Sequence, residues 1–137
     1  MCLMLYLGSD VPLPIINWEP EHPPLHVADL DDHDRVVSRH FSKPHVYYVG
    51  AHGGCGCVFE ACDLSAELPE DHETFRPGEW LRDLTLNALQ HQSSVEFFAC
   101  WDGDQDHDID HRAHVTSDEL VRSERVFLEK QFVVCEK

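Results

Sequence analysis

Basic side chains are scarce in this sequence. Ten lysines and arginines face 26 aspartates and glutamates, for a formal net charge of −16 with histidine counted neutral. Such a balance repels phosphate backbones and anionic lipid, which argues against nucleic acid and membrane surfaces as partners. It favours cationic partners or metal ions, although part of the charge is ordinary solvated surface. No run approaches the roughly 18 apolar residues of a membrane span. The start of the chain has no basic residue, and Asp10, Pro12 and Pro14 break its apolar run, so it does not read as a secretory signal. The expected compartment is therefore the cytoplasm, where six cysteines serve as thiols or metal ligands rather than as disulfides. Repeats, low-complexity tracts and linkers are also missing. Gly-x-Ser-x-Gly is absent, which leaves serine-hydrolase chemistry without support. No Lys-Ser/Thr follows the glycines, so a phosphate-binding loop is not indicated.

What is present suffices for one folded unit over 1–137. The chain has 137 residues, 42% of them hydrophobic, enough for a core that does not depend on metal or disulfides. Residues 2–7, Cys-Leu-Met-Leu-Tyr-Leu, are apolar on both alternations and predict a central strand. Prolines at 12, 14, 20, 23 and 24 predict an extended connector, with Ile15, Ile16 and Trp18 packed on the body. Leu25-His26-Val27 reads as a short edge strand. Asp29 to His40 reads as a short helix, acidic at its start and basic at its end, burying Val36, Val37, His40 and Phe41.

His45–Val49 predicts a second apolar strand, with Val58–Ala61 as a short return, and residues 62–77 read as an acidic loop. Trp80, Leu81, Leu84 and Ala88 give 79–91 the strongest helical period, widened by Leu86 and Leu89. Val95–Trp101 predicts a strand followed by the acidic loop Asp102–Asp110. Thr116-Ser117-Asp118-Glu119 is a capping box that opens a helical turn. Val126–Cys135 reads as one long strand with a bulge or bend at Glu129-Lys130-Gln131. The sum is an α+β domain with a mixed or mostly antiparallel sheet of about five strands and two to three helices. The segment from 50 through helix 79–91 to strand 95–101 fits one parallel crossover.

Three groups of residues carry candidate chemistry. The first lies on Gly50-Ala51-His52-Gly53-Gly54-Cys55-Gly56-Cys57, directly after the apolar strand. Thiolate and imidazole are the ligands zinc prefers, and four are needed for a closed tetrahedral site. His52, Cys55, Cys57 and Cys62 form the candidate set, with His45, Cys2 and Cys100 as alternatives. A zinc-like ion is the cofactor this reading implies. The spacing departs from a zinc ribbon, which shows two Cys-x2–4-Cys pairs. The plain alternative is a tight turn in which small cysteines are simply buried. Redox or nucleophilic use of Cys55, Cys57 or Cys2 is a third reading, although no helix start is present to lower a thiol pKa.

The second group is Asp102, Asp104, Asp106, Asp108 and Asp110, alternating oxygen ligands for Ca²⁺ or Mg²⁺. An EF-hand needs glycine at its sixth position and glutamate at its twelfth, where His107 and Ala113 stand. His107, His111 and His114 add imidazoles, two at helical i, i+4 spacing. A solvated acidic turn is the competing reading, and the acidic runs at 29–34, 60–73 and 102–110 also suit a non-enzymatic module that recruits a basic protein. The third group is Cys2. Met1-Cys2-Leu3 resembles the start of the N-terminal-nucleophile amidotransferases over three residues, where a free amine would serve as base for its own thiol. More widely, Met1-Cys2-Leu3, Lys43–Tyr48 leading into Gly54–Cys57, and Ala99–Asp104 resemble a group of small bacterial proteins of unknown function. That resemblance spans most of the chain and implies no activity.

Overall fold

The computed structural model describes residues 3–16, 26–50, 77–119 and 127–136, with residues 77–80 described by backbone alone. They form one six-stranded sheet: β1 (Leu3–Ser9), β2 (His26–Asp29), β3 (His45–Gly50), β4 (Ser94–Trp101), β5 (His111–Thr116) and β6 (Gln131–Glu136). The spatial order is β2-β3-β1-β4-β6-β5, and only the β5–β6 pair is parallel. The mostly antiparallel reading holds. The sheet has six strands rather than about five, and the described residues contain two helices, α1 (Pro77–Leu89) and a 3-10 helix at Arg35–His40.

The double alternation of β1 places it between β3 and β4, as its sequence requires. Leu3, Leu5 and Leu7 face one side, and Met4 and Tyr6 the other. The α1 side holds the larger core: β1's leucines join Val27, Tyr47, Val49, Val95, Phe97, Ala99, Val133 and Cys135, with Leu81, Leu84, Ala88 and Leu89 of α1. Each of the three helix leucines contributes about 1.5–3 kcal/mol by leaving water. The opposite side holds Tyr6, Val37, Phe98, Cys100 and Phe132. Because β3 and β4 both run antiparallel to β1, they are parallel to each other, so the connection containing α1 crosses over β1 as the sequence suggested. The capping box is also formed: Glu119 N–H donates to Thr116 Oγ1 at 3.3 Å and Thr116 N–H to Glu119 Oε1 at 3.4 Å.

Four expectations are corrected. The helix over 29–40 is confined to 35–40: Asp29 pairs with Tyr47 as the last residue of β2, and the Asp31 side chain accepts Asp34 N–H at 2.8 Å to close a turn. Acidic residues crowd that turn rather than a helix start. The long C-terminal strand is divided at the residues expected to bend, where Lys130 takes a left-handed φ of 53° and Gln131 N–H bonds to Leu128 O at 3.2 Å. Ile15, expected to pack, is 47% exposed, while Ile16 bridges Val27 along the edge strand. The run 111–116, which was not read as a strand, is β5. The glycine loop, the return 58–61, the acidic run 62–76, Trp18 and Cys2 lie outside the described residues.

Gly8 is one place where only glycine fits. A Cβ there would stand 2.5 Å from Phe41 Cδ1 and 3.3 Å from Lys43 Cβ. The Phe41 ring belongs to the second core and packs on Phe132, so it has little room to withdraw. Gly8→Ala is expected to cost about 1–3 kcal/mol as an overpacking change. A urea midpoint indistinguishable from the parent's would show that the 41–43 segment gives way freely.

Candidate functional site

His52, Cys55, Cys57 and Cys62 all lie outside the described residues. What the structure shows is the strand that carries them. β3 is hydrogen-bonded to β2 on one side and β1 on the other, and both Val49 and Gly50 are buried. His26 faces Gly50 and Leu3 faces Trp101, so the end of β3 leading to residue 51 shares one end of the sheet with the N-terminus of β1 and the start of the acidic loop. His45 sits at the opposite end, opposite Ser9, roughly 16 Å along the strand from Gly50 at a strand's usual rise.

Cys100 is fully buried opposite Met4 on the second core. Burial, reinforced by the carboxylates of Asp104, Asp34 and Asp102, pushes its thiol up to about 12. Since the thiolate is both the metal ligand and the nucleophile, Cys100 is a core residue in its described setting. Cys135 is equally buried on the α1 side, opposite Val95.

The acidic loop after β4 is clamped rather than gathered. Arg39 reaches Asp106 at 3.3 Å and Asp108 at 3.5 Å, and its guanidinium also donates to the Asp106 carbonyl. His33 meets Asp102 at 3.4 Å, His107 meets Asp104 at 3.6 Å, and Lys130 meets Asp110 at 3.9 Å. Among the described residues no three His, Cys, Asp or Glu side chains converge as metal ligands. The expected helical alignment of His107 and His111 is overturned: His107 lies in the loop and His111 opens β5. His111 and His114, three apart on a strand, face opposite sides of the sheet.

Beneath this loop lies a polar cluster that sequence reading missed. Tyr6 O–H donates to Asp34 Oδ1 at 2.8 Å, with both groups buried. Gln105, 2% exposed, turns its amide inward. Its Nε2 donates to Asp102 Oδ1 at 3.0 Å, Asp34 Oδ1 at 3.2 Å and Tyr6 Oη at 3.3 Å, while its Oε1 accepts Gly103 N–H at 2.8 Å. Burial raises the Asp34 carboxyl above its ordinary range and pushes the Tyr6 phenol far up. The hydrogen bond from Gln105 lowers Asp102. His40 Nε2–H donates to the Gln105 carbonyl at 3.0 Å, and burial lowers the pKa of the ring.

A tyrosine kept neutral and a carboxylate sealed from water offer no surface to a substrate. This cluster fastens the 3-10 helix and the loop to the sheet. One signal in the sequence marked it: Gln105 is the single neutral amide in an acidic run, as its role as a buried peg requires. No described helix is long and apolar enough to cross a membrane. No protein-family model matches the chain, nor does any curated protein or solved structure.

Proposed function

We propose that this chain is a small metal- or thiol-bearing α+β domain whose segment after β3 holds a zinc-like ion through His52, Cys55, Cys57 and Cys62. The observation that carries the reading is the donor set itself: one imidazole and three thiols within eleven residues, the number and kind a tetrahedral site takes. Two further facts support it. The segment springs from a strand bonded on both sides, the kind of rigid base that precise sites need. Cys100 and Cys135 are committed to the two cores, which leaves Cys2 as the remaining alternative thiol. A cytoplasmic setting, where such thiols stay reduced, belongs to this reading, as does the absence of nucleic acid and membrane partners.

A second reading, an acidic module for a basic protein, draws on one observation. The runs 29–34 and 102–110, about 70 residues apart in sequence, meet on one side of the sheet through Asp34–Gln105 and His33–Asp102. Elemental analysis of tag-free, reduced protein separates the two. The metal reading expects close to one equivalent of zinc or iron in the parent and none in Cys55→Ser/Cys57→Ser, with a lower melting temperature in the variant. Metal-free parent protein prepared without chelator would reject that reading. Capture of a basic partner that weakens steeply with salt would then favour the second.

A further inference from the structure

β5 forms one edge of the sheet, and its outer side is open. In a parallel pair, alternate residues turn both main-chain groups toward the neighbouring strand. His111 N–H donates to the Lys130 carbonyl at 3.2 Å and Ser117 N–H to the Glu136 carbonyl at 2.8 Å, so the main chain of the odd-numbered residues faces β6. Arg112 and His114 therefore turn their N–H and C=O groups away from the sheet, and both residues are exposed. The other edge is covered: Ile16 and Val27 exchange main-chain hydrogen bonds at 2.8 and 2.9 Å along β2. β5 has no such cover among the described residues. It also has no proline and no bulge, and its register with β6 runs unbroken from His111 to Thr116.

The side chains of this edge divide by charge and by face. Arg112 lies over the Phe132 ring on the second-core side, 5.4 Å from its centroid, and His114, two residues on, shares that face. Ala113 and Val115 face the α1 side with the larger core. No acidic residue occurs from 111 to 116. In a chain of formal charge −16, Arg35, Arg39, Lys43 and Lys130 each meet a carboxylate. Arg112 forms no ion pair among the described residues. It is a free guanidinium beside an unused row of main-chain donors and acceptors.

We propose that β5 is a docking edge for an extended acidic peptide, which adds to the six-stranded sheet as a further strand. The peptide main chain pairs with Arg112 and His114. Carboxylates two residues apart meet the side chains of Arg112 and His114, and a β-branched residue between them extends the apolar row of Ala113 and Val115. A second copy of the chain fits less well. Pairing β5 with β5 sets the Arg112 and His114 rows of two chains side by side and brings together two formal charges of −16. Repulsion of a short peptide by the rest of the chain is screened beyond about 8 Å at physiological ionic strength, which leaves the contacts at the edge to decide. This edge lies across the sheet from β3 and needs no ion there.

The probe is a blocked peptide, Thr-Val-Glu-Val-Glu-Val-Thr, added near physiological ionic strength to the full, isotope-labelled chain and followed by NMR. The Arg112 and His114 amides are expected to shift and to gain exchange protection several-fold, while those of β1 and β3 keep theirs. A matched peptide with lysine in place of both glutamates is expected to bind at least about fivefold more weakly, and Arg112→Glu to reverse that preference. The glutamate peptide N-methylated on the amides that face β5 is expected to lose binding, which separates strand addition from charge attraction alone. If Arg112→Glu does not fold, the lysine and N-methylated peptides decide on the parent. Failure of the glutamate peptide to bind, equal binding of the glutamate and lysine peptides, undiminished binding after N-methylation, or shifts confined to other strands would overturn the proposal. So would a dimer of the parent in sedimentation that Arg112→Glu or the glutamate peptide dissociates, since the edge would then belong to a second copy.

Discussion

Phe97→Ala is expected to cost about 3–5 kcal/mol and to lower the melting temperature by about 10–20 °C. Phe97 has no exposed surface and sits in the middle of β4. Leu7 of β1 lies opposite it on one side and Val133 of β6 on the other, so both flanks are hydrogen-bonded strands that cannot close a void. Its ring meets Phe127 with centroids 5.5 Å apart, and the same core includes the leucines of α1. Alanine removes the ring and leaves a cavity floored by the hydrogen-bonded sheet and lined by Phe127 and its neighbours in the core, where the fixed sheet limits collapse. A domain with the usual stability of about 5–15 kcal/mol would lose about a fifth of it or more. Phe97→Leu, which retains most of the volume, is expected to cost less than half as much. Urea unfolding with an unchanged m-value checks both. A loss under about 1 kcal/mol for alanine would mean that the α1 side of the sheet is far more loosely packed than the structure shows.

The strands that carry this core were the legible part of the sequence, and for one reason. β1, β3 and β4 are buried on both faces, so their apolar runs are too dense to arise on a surface. α1 was legible because one face packs on the sheet and the other does not. β5 was hidden because an edge strand buries little: Val115 is its one buried side chain, and its other positions are histidine, arginine, alanine and threonine. Its partner is parallel, so no tight turn announces the pairing either. The 3-10 helix was mistaken for the end of a longer helix because acidic residues before a short apolar pattern also occur where a side chain closes a turn, as Asp31 does. The polar cluster could not be read locally, since Tyr6, Asp34 and Gln105 meet across separations of 28, 71 and 99 residues. The glycine-loop residues were legible as chemistry, but convergence of their side chains is a matter of geometry that spacing alone does not set.

Gln105→Ala is expected to cost about 2–4 kcal/mol, more than its small size and polar character would suggest. The two hydrogens of its amide serve three acceptors, Asp102, Asp34 and Tyr6, and its oxygen satisfies the N–H of Gly103. Gly103 holds a φ of +104°, a conformation that favours glycine, and directs that N–H to the Gln105 side chain. Removal takes the Gly103 N–H from its side-chain partner and one of two side-chain donors from buried Asp34, whose carboxyl burial already raises. Gln105→Glu separates these effects. It keeps the shape and the acceptor for Gly103 but replaces the shared donor with a carboxylate beside Asp34 and Asp102. At about pH 7 a buried carboxylate would then stand between buried Asp34 and half-exposed Asp102, and the loss is expected to equal or exceed that of alanine. The introduced group would have a raised pKa, so its penalty appears as pH rises and recedes as pH falls, and the deficit against the parent should shrink between about pH 7 and about pH 5. The alanine deficit should change little over the same range. If both variants lose the same amount at both pH values, Gln105 acts by filling space, and the hydrogen bonds beneath the acidic loop are not what fastens it to the sheet.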